Sequence, residues 1–216
     1  MKELLFFLQI DYYFLMDKHD ERAKLLCRIK EEVVNFKKSP LCLERIHNRV
    51  NPVIGEGSHD AKIMFVGEAP GKNEAKTGRP FCGASGRILD ELLSSIGRPR
   101  SEAYVTNIVK DRPPENRDPF PEEIAMYAPF LDRQIEIIRP KVIATLGRYS
   151  MKYIFEKFGL LGELQTISKI HGKTYQTKTT YGEVNVVPLF HPAVALYDGS
   201  KKKDLIKDFQ VLKKFL

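Results

Sequence analysis

Residues 62–71, KIMFVGEAPG, decide how the chain is read: Ile63, Met64, Phe65 and Val66 run without a polar break into Gly67-Glu68-Ala69-Pro70-Gly71. A short apolar run closed by glycine and proline fits a buried β-strand. The glycines beyond it permit a tight turn and the close approach of a ligand. Three further β-rich runs follow at 103–109, 141–146 and 183–189. Helical patterns lie between the first three: 86–96 carries Ile88, Leu89, Leu92 and Leu93, and 121–138 opens with Pro-Glu-Glu, a favourable first turn. Another helix is expected near Arg148. This alternation predicts an α/β fold, a three-layer α/β/α sandwich with a central, mainly parallel, four-stranded sheet. In such sheets ligands bind beyond the carboxyl ends of the strands.

Upstream of residue 62 the character differs. Residues 1–38 read as helical, with Leu25, Leu26, Ile29, Val33 and Val34 among charges. Residues 39–60 contain Pro40, Pro52, Gly55 and Gly57 and read as an irregular connection. We therefore expect an N-terminal helical extension over 1–50, packed on the body, and an α/β domain over 51–216. The opening MKELLFFLQIDYYFLM is interrupted by Glu3 and Asp11, too short to span a bilayer and poor as a signal peptide. It is expected to pack as a helix, with a membrane or partner contact as the alternative. The three cysteines, Cys27, Cys42 and Cys82, show neither a disulfide framework nor a C-x-x-C knuckle, which fits a reducing, cytoplasmic setting. A net charge of +7 favours polyanionic partners without naming a reaction.

The strand ends carry three polar constellations. The first is Gly67-Glu68-Ala69-Pro70-Gly71, continuing to Glu74 and Thr77-Gly78-Arg79-Pro80-Phe81. It is not a phosphate loop, because the spacing to Gly71-Lys72 is too short and no Ser or Thr follows the lysine. A plain Gly/Pro turn joining strand to helix fits the local chemistry equally well. The second runs through Thr106-Asn107-Ile108-Val109-Lys110 to Arg112-Pro113-Pro114-Glu115-Asn116-Arg117. An asparagine at a strand end offers a donor and an acceptor and so can read a nucleobase edge, although Asn more often caps a turn. The third is His191-Pro192-Ala193; a lone histidine is commonly structural, but this one follows a strand on the same rim.

Together GEAPGKNEAKTGRPF, TNIVKDRPPENR and HPA resemble, in order and spacing, the three signature regions of the iron–sulfur uracil-DNA glycosylases, over roughly residues 35–210. The resemblance implies a base-flipping enzyme that hydrolyses the bond between uracil and deoxyribose in single- or double-stranded DNA. It implies that Phe81 stacks on the flipped base, that Asn107 hydrogen-bonds its edge beside Gly67 and Ala69, and that His191 sits by uracil O2. Glu68 becomes the first candidate to orient the attacking water, since Ala69 stands where other branches carry Asp; Glu74 and Asn116 match polar residues that affect activity. Backbone phosphate contacts are implied for Ser85, Gly86 and Arg87, with Lys110, Arg112 and Arg117 as further candidates. Leu196 is placed to wedge into the stack. The lysines at 201–203 fit a solvated helix start as well as a DNA contact. Alternatives are a changed base preference such as hypoxanthine, a non-catalytic DNA-binding relative, and a hydrolase of free nucleosides, which the basic charge disfavours. A monomer is expected.

One departure stands out. The positions matching the four cluster cysteines hold Phe36, Ser39, Asp111 and Tyr127, and one nearby thiol, Cys42, cannot supply the ligands a cluster needs. No cofactor is therefore expected, and Phe36 and Tyr127 should fill the space together, with Ser39 and Asp111 close by. The purified protein should lack cluster absorption in the visible range, and its activity should survive iron chelation; coloured protein inactivated by a chelator would refute this.

Overall fold

All five residues of β2 (Ile63–Gly67) are buried, and in the computed structural model, which describes residues 21–216, they divide by parity. Ile63 and Phe65 join one apolar cluster, Met64 and Val66 another. A strand buried on both faces must be apolar at every position, which explains the unbroken run in the sequence. β2 pairs in parallel with β3 (Tyr104–Asn107) on one side and β4 (Val142–Leu146) on the other; β4 in turn pairs in parallel with β6 (Gly182–Leu189).

The sheet has six strands rather than the four expected. β1 (Glu56–Gly57) and β5 (Tyr175–Thr179) add antiparallel edges, giving the order β1-β3-β2-β4-β6-β5. Both lack a buried apolar run. β1 is two residues long, and β5 exposes Gln176 and Lys178 while half-burying Tyr175, Thr177 and Thr179. Polar alternation of this kind suits an edge that must not pair further.

Helix α4 (Ala84–Ser95) packs Ile88, Leu89, Leu92 and Leu93 on the face that holds Phe65. Helix α5 (Pro121–Ile138) packs Tyr127, Leu131, Ile135 and Ile138 on the opposite face, with Met64. The chain thus leaves β2 for β3 across one face and crosses from β3 to β4 across the other. This reversal opens a crevice beyond the carboxyl ends of β2 and β3.

Residues 21–34 are helical (α1), and Leu26, Ile29 and Val33 enter the α5 cluster. The expected packing of residues 1–20 lies outside the described residues. The expected irregular stretch after Lys38 contains a helix, α2 (Pro40–His47). Ser39 caps it by accepting the Leu41 N–H at 3.2 Å, and Pro40 occupies its first turn. Both are standard helix-start residues; the proline there begins a helix rather than breaking one.

The positions matching cluster ligands meet where α1, α2, the loop after β3 and α5 converge. Phe36 packs edge-on against Tyr127 at 5.6 Å between centroids and against Phe130 at 5.2 Å. The Tyr127 hydroxyl donates to Asp111 Oδ2 at 2.6 Å, beside fully buried Ser39. The other Asp111 oxygen meets Arg45 Nε at 2.9 Å. Arg45 also donates through Nη2 to the Val34 carbonyl at 2.7 Å and to Cys42 Sγ at 3.1 Å. This junction does not fit an iron–sulfur cluster. Its one thiol is engaged by Arg45, and among the described residues no group of three or more His, Cys, Asp or Glu is arranged to hold a metal ion. Burial pushes the Asp111 carboxyl upward, and Tyr127 and Arg45 pull it back. Removing one partner of such a buried pair strands the other charge, at about 3–5 kcal/mol. Asp111→Ala should lower unfolding stability by that order in a urea titration; an unchanged midpoint would show that the pair does not hold the junction.

Candidate active site

The pairing of β2 with β3 sets Gly67 beside Asn107 and continues past both strands through Ile108 N–H to the Gly67 carbonyl and Val109 N–H to the Glu68 carbonyl, each at 3.0 Å. A Cβ on Gly67 would stand 2.3 Å from Asn107 Oδ1 and 2.8 Å from Phe81 Cζ. Position 67 must therefore be glycine for Asn107 and Phe81 to share the rim. Asn107 is buried, and its Oδ1 finds no donor among the described residues. A buried acceptor left open costs free energy unless something else supplies the hydrogen bond.

Phe81 has a left-handed backbone, φ 47°, which is uncommon for a bulky residue and persists only where the surroundings enforce it. Glu74 Oε1 accepts the N–H groups of Cys82 at 3.0 Å and Gly83 at 2.9 Å. Arg100 donates to the Pro80 carbonyl at 2.5 Å and the Phe81 carbonyl at 3.1 Å, and is itself paired with Asp90. From below, Gly86 is buried so tightly that a Cβ would fall 1.7 Å from the Phe81 carbonyl oxygen. Gly86, expected at a phosphate, donates its N–H to the Gly83 carbonyl at 3.1 Å and packs under the Phe81 loop. Arg100 had no signal in the sequence, because it lies 19 residues from the loop it clamps.

His191 stands at the end of β6, its ring 5.6 Å from that of Phe81. The Ala193 N–H donates to His191 Nδ1 at 3.2 Å, so in the neutral ring the proton sits on Nε2. Burial drives the His191 pKa down to about 4, against the opposing pull of Glu74. At neutral pH the ring is uncharged. Ala69, Gly71, Glu74, Phe81, Ser85, Asn107 and His191 together line a pocket of about 160 Å³. A larger groove, near 600 Å³, lies between Pro119–Ala125 and helix α6 (Arg148–Lys157) but contains none of these groups.

Glu68 is half-buried and not among the lining residues. Burial first, then Asp118, raises its pKa to about 7, with Arg148 opposing. Asn116 also lies off the pocket: on an exposed turn at φ 55° its Oδ1 accepts Arg112 Nε at 2.6 Å. Arg117 is engaged by Glu123 at 2.8 and 2.6 Å and lies over the Phe120 ring. Lys110, expected at a phosphate, is fully buried and bonded inside the protein, so it cannot reach DNA. Ser85 borders the pocket, Arg87 is exposed on α4, and Leu196 and Tyr197 are exposed on the short helix α8 (Val194–Tyr197).

An aromatic face, an amide edge and an imidazole thus line one small cavity beyond the carboxyl ends of the parallel strands of an α/β protein. The chain belongs to the uracil-DNA glycosylase superfamily, whose model matches residues 54–213. It is 49% identical over 187 residues to a type-4 uracil-DNA glycosylase from Sulfurisphaera tokodaii, covering 86% of this chain and 82% of the relative. It is 45% identical over 162 residues to one from Archaeoglobus fulgidus, with 75% and 80% covered. A type-5 uracil-DNA glycosylase from Thermus thermophilus is more distant, 35% identical over 124 residues, with 50% and 56% covered.

Proposed function

We propose that this protein is a uracil-DNA glycosylase of the type-4 kind, opening base-excision repair by hydrolysing the N-glycosidic bond of uracil in DNA. The observation that carries this reading is the unpartnered, buried Oδ1 of Asn107 beside the Phe81 face and the neutral His191 ring. Uracil presents an N3–H donor next to an O4 acceptor. An asparagine amide answers both; cytosine presents the reverse pattern and leaves the buried amide mismatched.

Phe81 supplies the stacking platform for the extruded base. His191 Nε2–H donates toward O2 of the departing base, where negative charge develops as the glycosidic bond breaks. A neutral donor in a dry site stabilises that charge without first binding a proton. Glu74 holds the Phe81 loop through Cys82 and Gly83. Glu68, in its ionised form, orients the water that attacks the sugar carbon. Ser85, Arg87 and Arg112 face the DNA backbone, and Leu196 with Tyr197 fills the space the base vacates.

Oligonucleotides bearing uracil or hypoxanthine, single- and double-stranded, followed by an abasic-site assay, test this directly. Uracil should be released, and Asn107→Ala and His191→Ala should each cost roughly 10²–10³-fold in rate with little change in melting temperature. Release of hypoxanthine alone would move the assignment to another base, and DNA binding without any product would make the protein a binding module. With its pKa raised to about 7, Glu68 becomes ionised progressively as pH rises through neutrality, so the rate should rise with pH through that region. His191, neutral down to about 4, adds no limb there. The limb should vanish in Glu68→Gln; its persistence would move the water-orienting role to another group.

A further inference from the structure

Lys110 lies fully buried behind the base pocket, one turn of chain beyond Asn107. Its Nζ donates to the Asn107 carbonyl at 2.6 Å, to Gln134 Oε1 at 2.6 Å and to Thr106 Oγ1 at 2.8 Å. These groups are bonded in turn to their neighbours, and Thr106 Oγ1 also lies 3.2 Å from Gln134 Oε1. The Thr106 hydroxyl donates to the Ile54 carbonyl at 2.7 Å, and the Gln134 amide donates to the same carbonyl at 2.9 Å and to the Tyr104 hydroxyl at 3.1 Å. Three oxygens therefore converge on one nitrogen. An ammonium group has three N–H donors to give them. A neutral amine has two, for the Asn107 carbonyl and Gln134, and its lone pair can accept the Thr106 hydroxyl, so Lys110 is bonded to all three in either form. Burial pushes the Lys110 pKa well below the usual lysine range, with Asp132 opposing.

A buried lysine is expensive to keep, and an apolar residue of similar volume is often as stable. What this one grips is the carbonyl of the residue whose side chain faces the base. From the other side, the pairing of β2 with β3 already fixes residue 107. We propose that Lys110 is a positioning residue for base recognition: its amino group locks the Asn107 peptide so that the side-chain amide, whose Oδ1 has no partner among the described residues, points into the pocket in one orientation. This rests on the reading of the chain as a uracil-DNA glycosylase. Lys110 touches no substrate and acts through Asn107.

A double-mutant cycle tests it, because a residue that acts through another loses its effect when the other is gone. Single-turnover excision from a uracil oligonucleotide is measured for wild type, Lys110→Met, Asn107→Ala and the double variant, with DNA affinity and melting temperature alongside. Lys110→Met should lower the excision rate roughly tenfold to hundredfold with DNA affinity unchanged, and should add little further loss in the Asn107→Ala background. Equal losses in both backgrounds, or a wild-type rate in folded Lys110→Met, would overturn the proposal. If Lys110→Met does not fold, Gln134→Met removes one of its acceptors and should give a smaller loss with the same dependence on Asn107; a loss independent of Asn107 would again overturn it. A folded wild-type protein that binds DNA but releases no base overturns the glycosylase reading itself, and the role of Lys110 with it. An active wild type with an additive cycle removes only the role of Lys110.

Discussion

The register that sets Gly67 beside Asn107 is the constraint on which the site depends. It brings the end of one parallel strand so close to its neighbour that no side chain fits at position 67. The space so freed is shared by the asparagine amide and the Phe81 ring. Shifting β3 by one residue would turn Asn107 to the other face of the sheet. The buried strands β2 and β3 thus serve two ends: they bury the sheet on both faces and they set the register of the polar rim. The loop that carries Phe81 cannot rest on strand pairing and is held by hydrogen bonds instead, from Glu74 on one side and Arg100 on the other.

Behind that rim the polar groups are paired with care. Lys110, Thr106, Gln134 and Tyr104 form a closed network around the Ile54 carbonyl, and a second network of Arg45, Asp111 and Tyr127 joins three segments nearby. The two are linked through the chain, since Lys110 and Asp111 are neighbours. The loop between β3 and α5 is thereby anchored twice within two residues, before it runs out to the exposed turn that carries Arg112 and Asn116.

The sequence made the central strands and the long helices legible because each is an apolar pattern of characteristic period. Helix α5 begins at the Pro-Glu-Glu signal and ends where the pattern ends. Asn107 and His191 were legible as strand-end residues and Phe81 through the family resemblance, and the fold brings all three to one pocket. The edge strands were not, since β5 gains its strand character from its partner rather than from its own residues. Lys110 was misread for a related reason. Set among Asp111 and Arg112 it looks like part of a solvated loop, and only its partner reveals it. That partner does leave a trace: Gln134 sits on the buried stripe of α5 between Leu131, Ile135 and Ile138, and a polar residue on an apolar face calls for a buried companion. The Arg100 clamp leaves no such trace, because a positive φ at residue 81 is not written in any local pattern.

The junction of Phe36, Arg45, Asp111 and Tyr127 also decides how the protein comes into being. A domain closed by a carboxylate, a guanidinium and a phenol matures as its chain folds, and this junction needs no scaffold proteins to deliver iron and sulfide. Peroxide and superoxide, which strip iron from thiolate-held clusters, find here a single thiol, Cys42, which is buried and bonded to Arg45. A cell that makes this protein can keep this junction intact when iron is scarce or oxidants are abundant.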